Sequence, residues 1–105
     1  MGRIIRRDAA SDDLIEHFAY IASNNPAAAE RFLDHAEKLL ESLLEMPGMG
    51  TPLPDVNPRF PSLRRISING FPNHVVYYVL EGEDIRILRV LHAARDREWM
   101  IRREQ

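Results

Sequence analysis

The sequence predicts one α+β domain in which a helical hairpin packs on one face of a small, mostly antiparallel sheet, in the order β-α-α-β-β-β. Three observations point there. Two stretches between residues 11 and 46 repeat apolar side chains at helical spacing. Residues 63–92 are rich in β-branched and aromatic side chains and are interrupted by turn residues. The length of 105 residues suits one domain, here 1–105, and is too short for two.

The elements follow in order. Arg3 to Arg7, with Ile4 and Ile5 flanked by arginines, reads as a short first strand. Ser11 is the expected N-cap of the first helix, with Asp12 and Asp13 in the first turn where the helix dipole favours negative charge. Leu14, Ile15, Phe18, Ile21 and Ala22 form its apolar stripe, and Ser23-Asn24-Asn25 ends it. Pro26 opens the second helix at a position where its missing N–H costs nothing, with Asn25 as cap. Its stripe runs from Ala29 through Phe32, Leu33, Ala36, Leu39, Leu40, Leu43 and Leu44, and Pro47-Gly48 stops it.

Residues 47–62 hold five of the seven prolines and read as a stiff strap rather than a linker. Leu63–Ile68 is the next strand, Asn69–Asn73 a turn, His74–Leu80 the strongest strand, Glu81–Asp84 a second turn and Ile85–His92 a central strand. Residues 95–105 read as a C-terminal helix or tail. The hairpin covers one face of this sheet. The other face is then expected to meet solvent, a partner or the tail.

Composition narrows the function. There is no cysteine, which removes disulfides, thiolate metal sites and a cysteine nucleophile. The four histidines, His17, His35, His74 and His92, lack metal-ligand spacing, and His17 and His35 are expected on solvated helix faces. No glycine-rich phosphate loop or hydrolase elbow occurs. No metal and no cofactor is expected. No apolar run reaches the roughly 20 residues of a membrane span, and Met1–Arg7 has no signal-peptide core, so the expected location is the cytoplasm, away from membranes.

The net charge of −2 conceals an asymmetry. Residues 1–58 carry 5 basic and 10 acidic side chains, whereas residues 59–105 carry 9 basic, all arginine, and 6 acidic. Arginine suits planar contacts with phosphate or carboxylate. Arg89 and His92, three apart on the last strand, are expected on opposite faces, with Arg95 and Asp96 at the rim and Arg64 and Arg65 on the neighbouring strand. Together with Trp99 these form the candidate surface for a macromolecular target. The expectation is a protein that grips another macromolecule rather than an enzyme.

The helix "NPAAAERFLDHAEKLLESL", the strap "MPGMGTPLPD" and the ending "LRVLHAARD" resemble the ParE branch of the RelE/ParE superfamily of type II toxin–antitoxin, or plasmid-stabilisation, toxins. The most specific piece is the run Arg89, Val90, Leu91, His92, Arg95 and Asp96; Pro47 and Gly50 of the strap come next. The resemblance implies a growth-inhibiting toxin that acts on DNA gyrase and so blocks replication. It implies a cognate ParD-like antitoxin with a ribbon-helix-helix head, in a hetero-oligomer that reaches operator DNA only through that antitoxin. A toxin dimer stays open as an assembly state. The RelE branch instead cleaves mRNA on the ribosome. For that alternative the resemblance points to His74, Arg95 and Arg65 as the catalytic set, but the lysine and the C-terminal tyrosine of that branch have no counterpart here. A third alternative is a degenerate toxin kept as an antitoxin-binding corepressor.

Overall fold

The structure, a computed structural model, describes residues 1–94 and 96. The order is β1 (Ile4–Arg6), α1 (Asp8–Ala22), α2 (Pro26–Glu45), a short 3₁₀ turn (Pro47–Met49), β2 (Thr51–Pro52), β3 (Arg64–Ile68), β4 (Phe71–Glu81) and β5 (Asp84–His92). The sheet order is β1-β5-β4-β3-β2. β1 lies parallel to β5, and all other neighbours are antiparallel. This is the predicted α+β architecture with one added edge strand, β2, inside the strap.

Local chemistry explains the ends. Asn25 accepts the Ala28 N–H as N-cap of α2, with Pro26 in its first turn. α1 begins at Asp8 instead of after Ser11, with extended Arg7 before it and no side-chain cap. The chain turns directly from β1 into the helix, and the Arg7 N–H still completes the β1–β5 ladder through the Ile87 carbonyl. The Asn69-Gly70 turn is tighter than expected, because Gly70 takes a φ of +82° and lets Phe71 pair with Ile68. Gly82, at φ +62°, opens the two-residue loop between Glu81 and Asp84.

The alternation of β4 divides the core. Val76 and Tyr78 join Ile85, Ile87 and Val90 against Ala10, Leu14, Phe32, Ala36, Leu40 and Leu43 of the helices. Val75, Tyr77 and Val79 point the other way, with Leu88, Leu91 and Leu63. That second face is not open. The strap folds over it, and Leu53, Val56 and Phe60 pack on it. Buried Asn57 shapes the strap by accepting the Arg59 and Phe60 N–H groups at its side-chain and main-chain oxygens.

Tyr78 ties the strap's start to the sheet. Its hydroxyl donates to the Pro47 carbonyl at 2.8 Å and accepts the Gly50 N–H at 2.9 Å. Burial pushes its phenol pKa up, against smaller lowering contributions from the Gly50 N–H and the Arg64 charge. Tyr78→Phe strands both backbone groups and is expected to cost about 1–3 kcal/mol in a urea melt. The unfolded chain releases this proton at lower pH than the folded one. The contribution is therefore intact below about pH 10 and fades as pH rises through the folded pKa. Tyr78→Phe should flatten that alkaline loss.

Candidate functional site

The last strand carries the expected site, and its geometry differs from simple alternation. Tyr77 pairs with Arg89 and Tyr78 with Ile87, so Leu88 is an extra residue on β5. This bulge changes where the following side chains point. Arg89 and His92 were expected on opposite faces. The pairing places them so, with Arg89 opposite Tyr77 of the strap face and His92 opposite His74 on the helical face, and from there Arg89 still reaches α1. Arg89 meets Asp13 of α1 through two hydrogen bonds, Nε to Oδ2 at 2.7 Å and Nη2 to Oδ1 at 2.8 Å. The two side chains are only 11% and 10% exposed. The ring of His92 lies 5.4 Å from that of His74, which in turn packs edge-to-face on His17 and Phe32 at 4.9 and 5.0 Å.

α1 stands in for a missing strand here. β1 ends opposite Ile87, so β5 beyond it lacks a neighbour on that side. Asp13 Oδ2 accepts the Val90 N–H at 2.9 Å, and His17 Nε2 lies 2.8 Å from the Val90 carbonyl. A carbonyl only accepts, so His17 Nε2 carries the hydrogen. Four residues apart on one helix face, Asp13 and His17 satisfy both backbone groups of one strand residue. The expectation of a solvated His17 is therefore corrected: it is 4% exposed. His35 is half-buried, with Nδ1 at 2.6 Å from the Asn69 carbonyl.

Among the described residues, the remaining site residues do not converge into a basic patch. Arg64 donates to the Gly48 and Gly50 carbonyls and so holds the strap's first turn. Arg65 pairs with Tyr77 across the ladder, on the strap side. Asp96 accepts the His92 N–H at Oδ2, and its own N–H returns to the His92 carbonyl, which closes the end of β5. Arg95, Trp99 and the expected C-terminal helix or tail, Asp96 apart, lie outside the described residues.

A cleft of about 260 Å³ opens between α1 and the end of β5, lined by Asp13, Glu16, His17, Arg89, Leu91 and Asp96. Its described lining holds three carboxylates against one guanidinium, and Asp13 already pairs with that guanidinium. Among the described residues, no group of three or more histidines and carboxylates is placed to hold a metal ion. No helix among them is long and apolar enough to cross a membrane.

The model of the ParE toxin of the type II toxin–antitoxin system parDE matches residues 4–97. The chain belongs to the ParE toxin family. It is 35% identical over 92 residues to Toxin ParE3 of Caulobacter vibrioides, covering 87% of this chain and 86% of that one. Its fold also matches a chain of the chromosomal ParDE system from P. aeruginosa, with a TM-score of 0.71 over 88% of this chain and 96% of the other. At 17% identity that likeness speaks for the fold alone. In this ParE-type toxin the described residues of the run that suggested the family are built into the scaffold. Arg89 and Val90 bind α1, Leu91 lies under the strap, His92 meets His74 edge-to-face, and Asp96 ends the strand. Asp13 and His17, which serve that run, were missed in the sequence. The signal was present: Ala10, Asp13, Leu14 and His17 are the buried positions of α1, and two of the four are polar.

Proposed function

We propose that this ParE-type toxin inhibits DNA gyrase, stops replication, and is neutralised by a cognate antitoxin of the ribbon-helix-helix type that also carries the complex to operator DNA. The observation that carries this reading is the ParE family match over residues 4–97. The arrangement of cations agrees with it. A ribosome-dependent nuclease must bring several cationic groups to one phosphate, where they activate the 2′-hydroxyl and stabilise developing charge. Here His74 packs among the helix-side aromatics, whereas Arg65 stands beside Tyr77 on the strap side. Arg89 is held by Asp13. The family points to a protein of the cytoplasm, where both gyrase and the antitoxin reside.

The test is pulse-labelling after induction of this chain alone in a bacterium. Thymidine incorporation is expected to stop first while methionine incorporation continues. Purified toxin is expected to inhibit gyrase supercoiling, and added antitoxin to restore it. Methionine stopping first would replace this reading with mRNA cleavage. No change in either label, with soluble protein present, would leave a degenerate toxin that serves only to bind antitoxin.

A further inference from the structure

Alternation on β1 sends its arginines to two sides of the sheet. Ile4 packs on the helix-side core and Arg6 pairs with Glu37 of α2, so Arg3, Ile5 and Arg7 face the strap side. On β5, Arg86 lies opposite Val79 of the strap-side core and beside Ile5 of β1. That register puts Arg86 midway between Arg3 and Arg7 along the strands. Successive residues on one face of a strand stand about 6.6 Å apart. Arg3, Arg86 and Arg7 therefore form a row, one arginine to each such step, along the β1–β5 margin. The apolar contacts of the strap include Leu88 but not half-buried Ile5, so the row runs along their edge. Arg3 is exposed, and the Arg86 side chain is 36% exposed.

The acids of the adjoining turn are engaged. Glu81 accepts Arg86 Nε at 2.9 Å, Asp84 accepts the Arg3 backbone N–H at 3.1 Å, and Glu83 meets the Met1 amine at 3.1 Å. Arg86 gives Glu81 only its Nε, and its Nη groups have no partner among the described residues. Arg89, next along β5 on that face, is already held by Asp13. Across the same side, Arg65 and the strap's Arg59 stand against Asp55. The helical side has the opposite balance, with nine acidic and two basic side chains over residues 8–45. A polyanion is thus repelled by the hairpin and drawn to the strap side.

Three features choose the ligand. Arginines repeated at one step match a polymer with one negative charge per unit, a phosphate backbone. A protein interface is anchored by aromatic side chains, and a single nucleic-acid strand stacks its bases on them. Among the described residues no exposed aromatic stands in the row: Tyr77 is 6% exposed, and exposed Tyr20 is on α1. A duplex needs no such platform, because phosphate contacts alone position it.

We propose that Arg3, Arg86 and Arg7 grip the phosphate backbone of double-stranded DNA without reading its sequence. That the duplex is DNA and not RNA rests on the replication reading; the row itself does not.

The test is fluorescence anisotropy of the full chain with a labelled two-turn DNA duplex. Three phosphate contacts give a slope of log K against log salt of about −2.7, a loss of about fortyfold between about 50 and 200 mM. Arg3→Gln, Arg7→Gln and Arg86→Gln should each remove about one contact, so that the same salt step costs each single variant about twelvefold. The triple glutamine variant should lose duplex binding, and the triple lysine variant should keep it, because the contact reads charge. Arg31→Gln with Lys38→Gln, on α2, should change nothing. Circular dichroism confirms that each variant is folded.

No duplex binding at about 50 mM salt, or binding that the triple glutamine variant keeps, would overturn the proposal. An equal loss in the α2 variant, or tighter binding of a single strand or of duplex RNA, would overturn it too. Gyrase supercoiling is followed in parallel. Wild-type toxin that inhibits gyrase but does not bind the duplex sinks the row and leaves the gyrase reading standing. Wild-type toxin that binds the duplex through the row without inhibiting gyrase sinks that reading and leaves the row.

Discussion

Replacing Asp13 by alanine is expected to destabilise the fold by about 3–5 kcal/mol, the range for breaking a buried ion pair from one side. Three losses coincide. Arg89 keeps its charge at a site where its side chain is 11% exposed. The Val90 N–H loses its acceptor at the point where β5 has no neighbouring strand. α1 keeps only His17 as its polar tie to that residue. For a domain of this size each kcal/mol lowers Tm by about 4–8 °C, so a shift above about 12 °C is expected in a thermal melt.

The comparison that isolates the cause is Asp13→Leu with Arg89→Met. Two apolar side chains of similar bulk remove both charges together, which is commonly neutral or stabilising at buried ion pairs. The double variant should recover much of the loss, short of the Val90 N–H. If Asp13→Ala costs under about 1 kcal/mol, the pair behaves as an exposed surface contact, and the view of α1 as a surrogate strand is wrong. The double variant also asks a functional question. If it folds but is no longer toxic, Arg89 acts on the target and not only on the scaffold.

The parts of this molecule that sequence displays well are those set by one period or one turn. The α2 boundaries follow from Asn25, Pro26 and Pro47, each acting within its own turn. The strands of the meander follow from β-branched runs broken at Gly70 and Gly82. What escaped depends on partners distant in the chain. Asp13 resembled a first-turn acid because Ser11 is a good cap by itself, and Arg89 lies 76 residues away. The Leu88 bulge leaves no local mark, since Ile85 to Leu91 alternates acceptably without it. The strap was read as a surface crossing because its prolines forbid regular structure. Yet Leu53, Val56 and Phe60 recur at spacings of three and four, and the apolar second face of β4 needed a cover. Of the candidate site, the segment Arg89–His92 was found, but its orientation was set by the bulge and by Asp13.

Phe32→Ala is expected to rank beside Asp13→Ala, at about 3–5 kcal/mol, because it empties the centre of the helical layer. Phe32 has no exposed surface. Its ring meets Phe71 at 5.3 Å, His74 at 5.0 Å and His17 at 6.1 Å, all near edge-to-face. It therefore keys α2 to β4 and to the imidazole of α1 in one place, and the alanine loses these ring contacts as well as the transferred area. Phe32→Leu keeps most of the volume and should cost under about 1.5 kcal/mol. The difference between the two variants, measured by urea titration with matched m-values, reports the cavity itself. His74 and His92 supply a second readout. Their rings pack in series behind Phe32, so the alanine variant should shift their imidazole resonances far more than the leucine variant does. If both variants cost the same, the ring's shape is irrelevant, and the layer is held by apolar area alone. If neither costs more than about 1 kcal/mol, the neighbours collapse into the space, and the array of rings beside the end of β5 is not fixed by packing.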